Sequence, residues 1–151
     1  MSNLKFLNKK EQKDIISCLK KQWGFEDELD YVFVLNEDEK IYIVNNEAKH
    51  VDLSKLRVNA LGSYFGRIDR DGFRLSIEGA QMIGPFAKKG ILELGKDEVK
   101  DWMKGIDIDR DMPEKGFLIM KHGDDYLGCG KAIEGRIMNF VPKIRRLDVM
   151  Q

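Results

Sequence analysis

Cysteine, histidine and long apolar runs are all scarce in this sequence, and each shortage removes a class of function. No apolar run approaches the roughly 20 residues needed to cross a bilayer, so no membrane span is expected. The opening stretch, MSNLKFLNKKEQKD, has no apolar core and no cleavage-site pattern, so no signal peptide is expected either. Cys18 and Cys129 stand 111 positions apart with no CxxC, which argues against a disulfide framework and for a reducing, cytoplasmic setting. Only His50 and His122 add to them as soft ligands, none paired locally, so structural zinc has no ligand set. No metal and no cofactor is expected.

Net charge is also missing: 26 basic residues balance 26 acidic ones. The balance hides strong local bias. Residues 1–21 carry six lysines against Glu11 and Asp14. Residues 24–39, GFEDELDYVFVLNEDE, carry seven acids and no base. Residues 129–151 carry Lys131, Arg136, Lys143, Arg145 and Arg146 against Glu134 and Asp148. Each block taken alone reads most simply as a solvated face; together they set up fields of opposite sign. With 42% hydrophobic and 34% charged residues, the 151-residue chain has the makings of a folded core, either one domain or two small ones packed together.

Periodicity supplies the elements. Asn8 to Gln22 reads as an amphipathic helix, with Ile15, Ile16, Leu19 and Trp23 on one face, an Asn8–Glu11 cap and Gly24 as its stop. YVFVL (31–35) and KIYIV (40–44) form a hairpin around NEDE. A short helix or turn is expected around Asp52 to Leu56. The run containing SYFGRI pairs with FRLSI across DRDG (69–72), where Gly72 can take positive φ. A short helix lies within residues 76–87 and stops near Gly84 and Pro85. The pattern then restarts: strand GILEL (90–94), a helix over 96–105 facing inward through Val99, Trp102 and Met103, then strands 117–121, 126–132 and 136–141. A boundary is expected near residues 84–90, between an α/β first half and a mostly β second half.

Catalytic patterns fail one by one. Gly123 to Gly128 has P-loop glycine spacing, but Cys129 occupies the lysine position and no hydroxyl residue follows. Asp107, Asp109 and Asp111 imitate a calcium loop, yet Met112 and Leu118 stand where glycine and glutamate are required. Cys129 has no recognisable base and orienting carboxylate, so a buried structural role is expected. No active site is legible, and the chain is expected not to be an enzyme. What remains is the basic end, where Lys143, Arg145 and Arg146 follow a strand and Pro142. Guanidinium and ammonium groups held this way suit phosphate oxygens. Tyr126 and Phe140 offer rings for stacking, with core packing as the plainer role. Nucleic-acid binding leads, a protein-interaction role follows, and an enzyme stands well behind both.

Two stretches then resemble a known family. GILELGKDEVKDWMKG and EKGFLIMKHGDDYLGCGKAIEGRI resemble a PUA domain, a small RNA-binding pseudobarrel, through Leu127, Gly128, Gly130 and Ala132 of its LGxGxA turn. LGSYFGRIDRDGFRLSIEGAQMIGPFAKKGILEL resembles the Nip-seven-like ribosome-biogenesis proteins, in which a pre-PUA domain precedes the PUA, through Leu61, Gly62, Phe65, Gly66, Phe73, Arg74, Leu75, Ala80, Pro85 and Ala87. The tail is more similar to the PUA-type extension of the NOL/NOP/Sun RNA cytosine methyltransferases, although the chain has no room for a methyltransferase fold. The resemblance implies an α+β fold: an α/β pre-PUA domain with an antiparallel sheet over 1–87, and a mixed β pseudobarrel over 88–151. It implies a non-catalytic protein of rRNA or tRNA maturation that binds structured RNA. Gly128 and Gly130 would allow close backbone approach, while Lys131, Arg136, Lys143, Arg145 and Arg146 bind phosphates. For Arg136 an ion pair with a nearby acid is an equal alternative. The acidic 24–39 segment should face away from RNA or meet a basic ribosome-biogenesis or RNA-modifying partner. The rival reading is an adaptor in which that docking is the function.

Overall fold

The computed structural model describes residues 4–44, 63–113 and 115–147. The turn expected around Asp52 to Leu56, and Leu61 and Gly62 of the resemblance, lie outside them. The described residues form an α+β fold with two sheets. A five-stranded antiparallel meander runs β1 (Lys5–Phe6), β2 (Val32–Leu35), β3 (Lys40–Val44), β4 (Ser63–Asp69) and β5 (Gly72–Leu75) in chain order. The second sheet is mixed: β6 (Ile91–Glu93) lies parallel to β7 (Gly116–His122), followed antiparallel by β8 (Asp125–Ile133) and β9 (Arg136–Asn139). The parallel pair needs a crossover, supplied by α3 (Lys96–Met103). A further bridge joins Ile108 to Ile137 on β9.

Local chemistry explains most of these elements. Helix α1 (Lys9–Trp23) begins with a full capping box between Asn8 and Glu11 and ends on Gly24 at φ 65°. Its Ile15, Leu19 and Trp23, one turn apart, are buried. Each large apolar side chain so buried contributes roughly 1.5–3 kcal/mol. The β4–β5 hairpin closes with Asp69 opposite Gly72, whose φ is 142°. The two-residue β1 carries no β-rich run; it forms because Lys5 and Phe6 add on to Leu35 and Val34. Helix α2 (Ile77–Ile83) runs into a 3₁₀ turn at Gly84–Phe86, with Pro85 in its first turn. Beyond α3, Lys104 is the C-cap and Gly105 follows at φ 87°.

Strand β7 joins the two sheets through its period of two. Phe117 and Ile119 enter the core formed by α1 and the first sheet, with Phe33, Phe65 and Phe73. Leu118 and Met120 point the other way, into a second core with Trp102, Leu94 and Ile137. Residues on both sides of positions 84–90 therefore share one core. The junction is also held by polar contacts. Gln22 of α1 caps the free edge of β5: its Oε1 accepts the Phe73 N–H and its Nε2 donates to the Phe73 carbonyl, both at 2.8 Å.

Candidate nucleic-acid interface

The basic residues of the C-terminal part do not gather in one place. Lys131 leaves β8 on the side of the Asp71 turn and pairs with Asp71. Arg136 leaves β9 and pairs with Asp107 at 3.3 Å, the nearby-acid alternative. These two line a shallow recess that also holds Glu134. Arg146 folds back under α3: its Nε donates to the Val141 carbonyl at 2.9 Å, and its side chain lies against Gly105. Lys143 and Arg145 sit on a 3₁₀ turn after Pro142, with Lys143 exposed. Of the five cations, Arg145 alone lines the groove described next.

The two glycines also differ. Strand β8 carries an extra residue opposite Met120, and Gly128 takes the resulting bulge at φ 91°. It lines the same groove as Arg145. Gly130 faces inward: a Cβ there would lie 2.6 Å from Ile137 and 2.9 Å from Trp102. Close packing in the core explains that glycine.

A groove of about 680 Å³ opens between the two sheets, walled by β3–β5 on one side and by β8, Phe140 and the tail on the other. Its basic character comes mainly from the first sheet. Lys40, Arg67 and Arg74 stand directly opposite one another across three strands, Lys40 against Arg67 and Arg67 against Arg74. The register shift between Ile41 and Tyr42 inserts one extra residue in β4, so Tyr64, which pairs with Tyr42, lies on the same face as Arg67. Like charges facing each other across strands destabilise a sheet. Among the described residues no carboxylate lies within ion-pair distance of these three cations. With Arg145, four cations line the groove against one acid, Glu78, among the described residues.

The aromatic walls are ordered by those cations. The Arg74 guanidinium lies 4.3 Å from the Phe140 ring centroid, and Lys40 Nζ lies 5.6 Å from that of Tyr64. Burial pushes the Tyr64 phenol above its ordinary value, against the pull of the Arg74 and Arg67 charges. Beside the first sheet, Ser76 caps α2 by accepting the Gly79 N–H at 2.9 Å, and its hydroxyl donates to the Tyr64 carbonyl at 2.5 Å. That fixes Glu78, which pairs with Arg145 and draws the tail onto the groove mouth. Ile144 beside it is 93% exposed. At the strand end, Asn139 steers the tail: its Nδ2 donates to the Trp102 carbonyl and its Oδ1 accepts the Val141 N–H.

Lys40, Arg67, Arg74 and Tyr64 are absent from the residues expected to bind. One signal was available: the Asp69–Gly72 turn sets Arg67 opposite Arg74 by counting outward. The addition of Lys40 needs the β3–β4 register, which the intervening residues do not specify. Phe140 and Tyr126 both pack against the first core, Tyr126 with its ring against Gly84, and Phe140 also lines the groove. Cys129 is fully buried, and burial pushes its thiol up to about 12, far from a reactive thiolate. Among the described residues no His, Cys, Asp and Glu cluster is suited to hold a metal, and no helix is long and apolar enough to cross a membrane.

Residues 89–147 match a family model described as the methyltransferase RsmF PUA domain. Curated relatives carry the name ribosomal RNA small subunit methyltransferase F. One from Aeromonas hydrophila is 29% identical over 114 residues, covering 73% of this chain and 23% of that protein. One from Vibrio cholerae is 24% identical over 144 residues, covering 89% of this chain and 28% of its own length. One from Aeromonas salmonicida is 30% identical over 93 residues, or 59% of this chain and 19% of that protein. The chain thus spans about a quarter of the length of these relatives. The matches support the PUA resemblance and the likeness of the tail to RNA methyltransferases, and not the Nip-seven-like assignment. They also correct the expectation that the chain is not an enzyme, because these relatives are named as methyltransferases. That expectation rested on missing motifs within a stretch that aligns with only a minor part of each relative.

Proposed function

We propose that this chain is an RNA-binding part of an rRNA-modifying protein of the methyltransferase kind, acting on structured RNA in the cytoplasm. Residues 88–151 form its PUA-type unit and residues 1–87 the unit before it. One observation carries the reading: the cation row Lys40–Arg67–Arg74, with no acid at ion-pair distance among the described residues and Tyr64 on the same face, looking across a groove at Arg145 and Phe140. A sheet that sets three cations opposite one another, with no acid beside them among the described residues, suits an anionic ligand. Lys143 extends the phosphate contacts along the tail and Gly128 keeps the β8 wall open. Lys131 and Arg136 serve as a flanking contact, and Arg146 positions the tail. The acidic 24–39 segment contributes no phosphate contact.

The test is binding of an rRNA fragment by filter retention across a salt series. Four engaged cations predict a slope of log K against log salt near −3, from about −0.7 per phosphate neutralised on a single strand. The Lys40→Ala/Arg67→Ala/Arg74→Ala variant should lose most of the affinity and flatten the slope, while Lys131→Ala/Arg136→Ala should lose less. A groove variant that binds like the wild type would refute the site.

A further inference from the structure

The groove also has the features of a slot for a base, and not only for phosphates. We propose that it receives an unpaired RNA nucleotide, its base stacked on the Arg74–Phe140 platform and its phosphates held by Lys40, Arg67 and Arg145. This rests on the RNA-binding reading above.

Three observations carry it. First, the cations that flank the rings are already arranged as flat walls. The Arg74 guanidinium sits 4.3 Å over Phe140, and Phe140 is itself backed by Phe117 at 6.3 Å between centroids. A guanidinium held on a ring presents a planar, charged face on which a base stacks well. Second, the site is recessed between two sheets, and its volume of about 680 Å³ falls in the range of small-ligand clefts. A base inside a helix has both faces covered by its neighbours and its pairing edge occupied, so only an unpaired base can enter such a cleft. Third, its chemistry is mixed in the way a nucleotide requires. Four cations and the Tyr64 phenol line it together with the apolar side chains of Phe140, Leu127 and Ile144. A surface for duplex backbone alone needs no apolar wall.

The experiment compares a fluorescein-labelled single-stranded RNA of mixed sequence with a blunt-ended RNA duplex of the same length, using the whole chain. The single strand should bind at least about tenfold more tightly, and a 2-aminopurine within it should be quenched on binding. Phe140→Leu keeps apolar volume and removes the ring; Arg74→Lys keeps charge and removes the plane. Each should weaken single-strand binding by about 5- to 150-fold, the span of one stacked base, and weaken duplex binding by a smaller factor. Melting curves show that each variant is folded. Equal binding of the two RNAs, or unchanged single-strand binding by both variants, overturns the base slot while the RNA-binding reading stands. No binding of either RNA at low salt overturns both.

Discussion

Replacing Arg67 with Gln should make the protein more stable and a weaker RNA binder at the same time. Arg67 is the middle of the cation row, directly opposed by Lys40 on one side and Arg74 on the other. Opposed residues have Cβ atoms about 5 Å apart, and long side chains splay to roughly 7 Å between charges. In water that separation gives about 0.6 kcal/mol of repulsion per pair, or about 1.2 kcal/mol for two neighbours. Screening at 0.15 M salt cuts this to less than about half. Gln keeps most of the aliphatic stem, so little packing is lost. For a chain of this size the expected gain in Tm is about 2–5 °C at low salt, shrinking as salt is added. The assay is thermal unfolding by circular dichroism at low, physiological and high salt, paired with RNA binding on the same samples. A variant that melts lower at low salt, or a shift that ignores salt, would refute the repulsive row. It would mean that the three charges are balanced within the protein, and the case for an anionic ligand would go with them.

Two further predictions test the frame around the groove. Gly130→Ala places a methyl against Ile137 and Trp102 in the second core and should destabilise the fold by about 1–3 kcal/mol, read as a lowered Tm. An unchanged Tm would show that this core has room to shift. The buried thiol of Cys129 titrates near 12 instead of near 9, so the folded state holds its proton where the unfolded state has released it. The stability tied to that proton is complete below pH 9 and declines as pH rises towards about 12, by up to about 1.4 kcal/mol per pH unit. Cys129→Ala should therefore show a flatter loss of stability than the wild type between pH 9 and 10.5 in denaturant titrations; parallel curves would contradict the burial.

What short-range physics controls was legible along the chain. Asn8, Glu11 and Gly24 delimit α1 because capping acts within one turn of helix. The Asp69–Gly72 turn and the alternating strands around it set the β4–β5 hairpin, since its register is counted from the turn. Cys129 reads as a core residue because nothing near it in the chain could activate it. The two-residue β1 was not legible, because its only support is the neighbouring β2. The site was legible in part. Arg145 and Gly128 stand at the groove as single residues chosen for their chemistry, but Lys131, Arg136 and Arg146 were drawn away by Asp71, Asp107 and the Val141 carbonyl. Charge along a chain is visible before folding; the acid that each cation will meet is not. Only the tertiary structure could join Lys40, Arg67, Arg74 and Arg145, because that takes a one-residue bulge, two strand registers and the packing of one sheet against another.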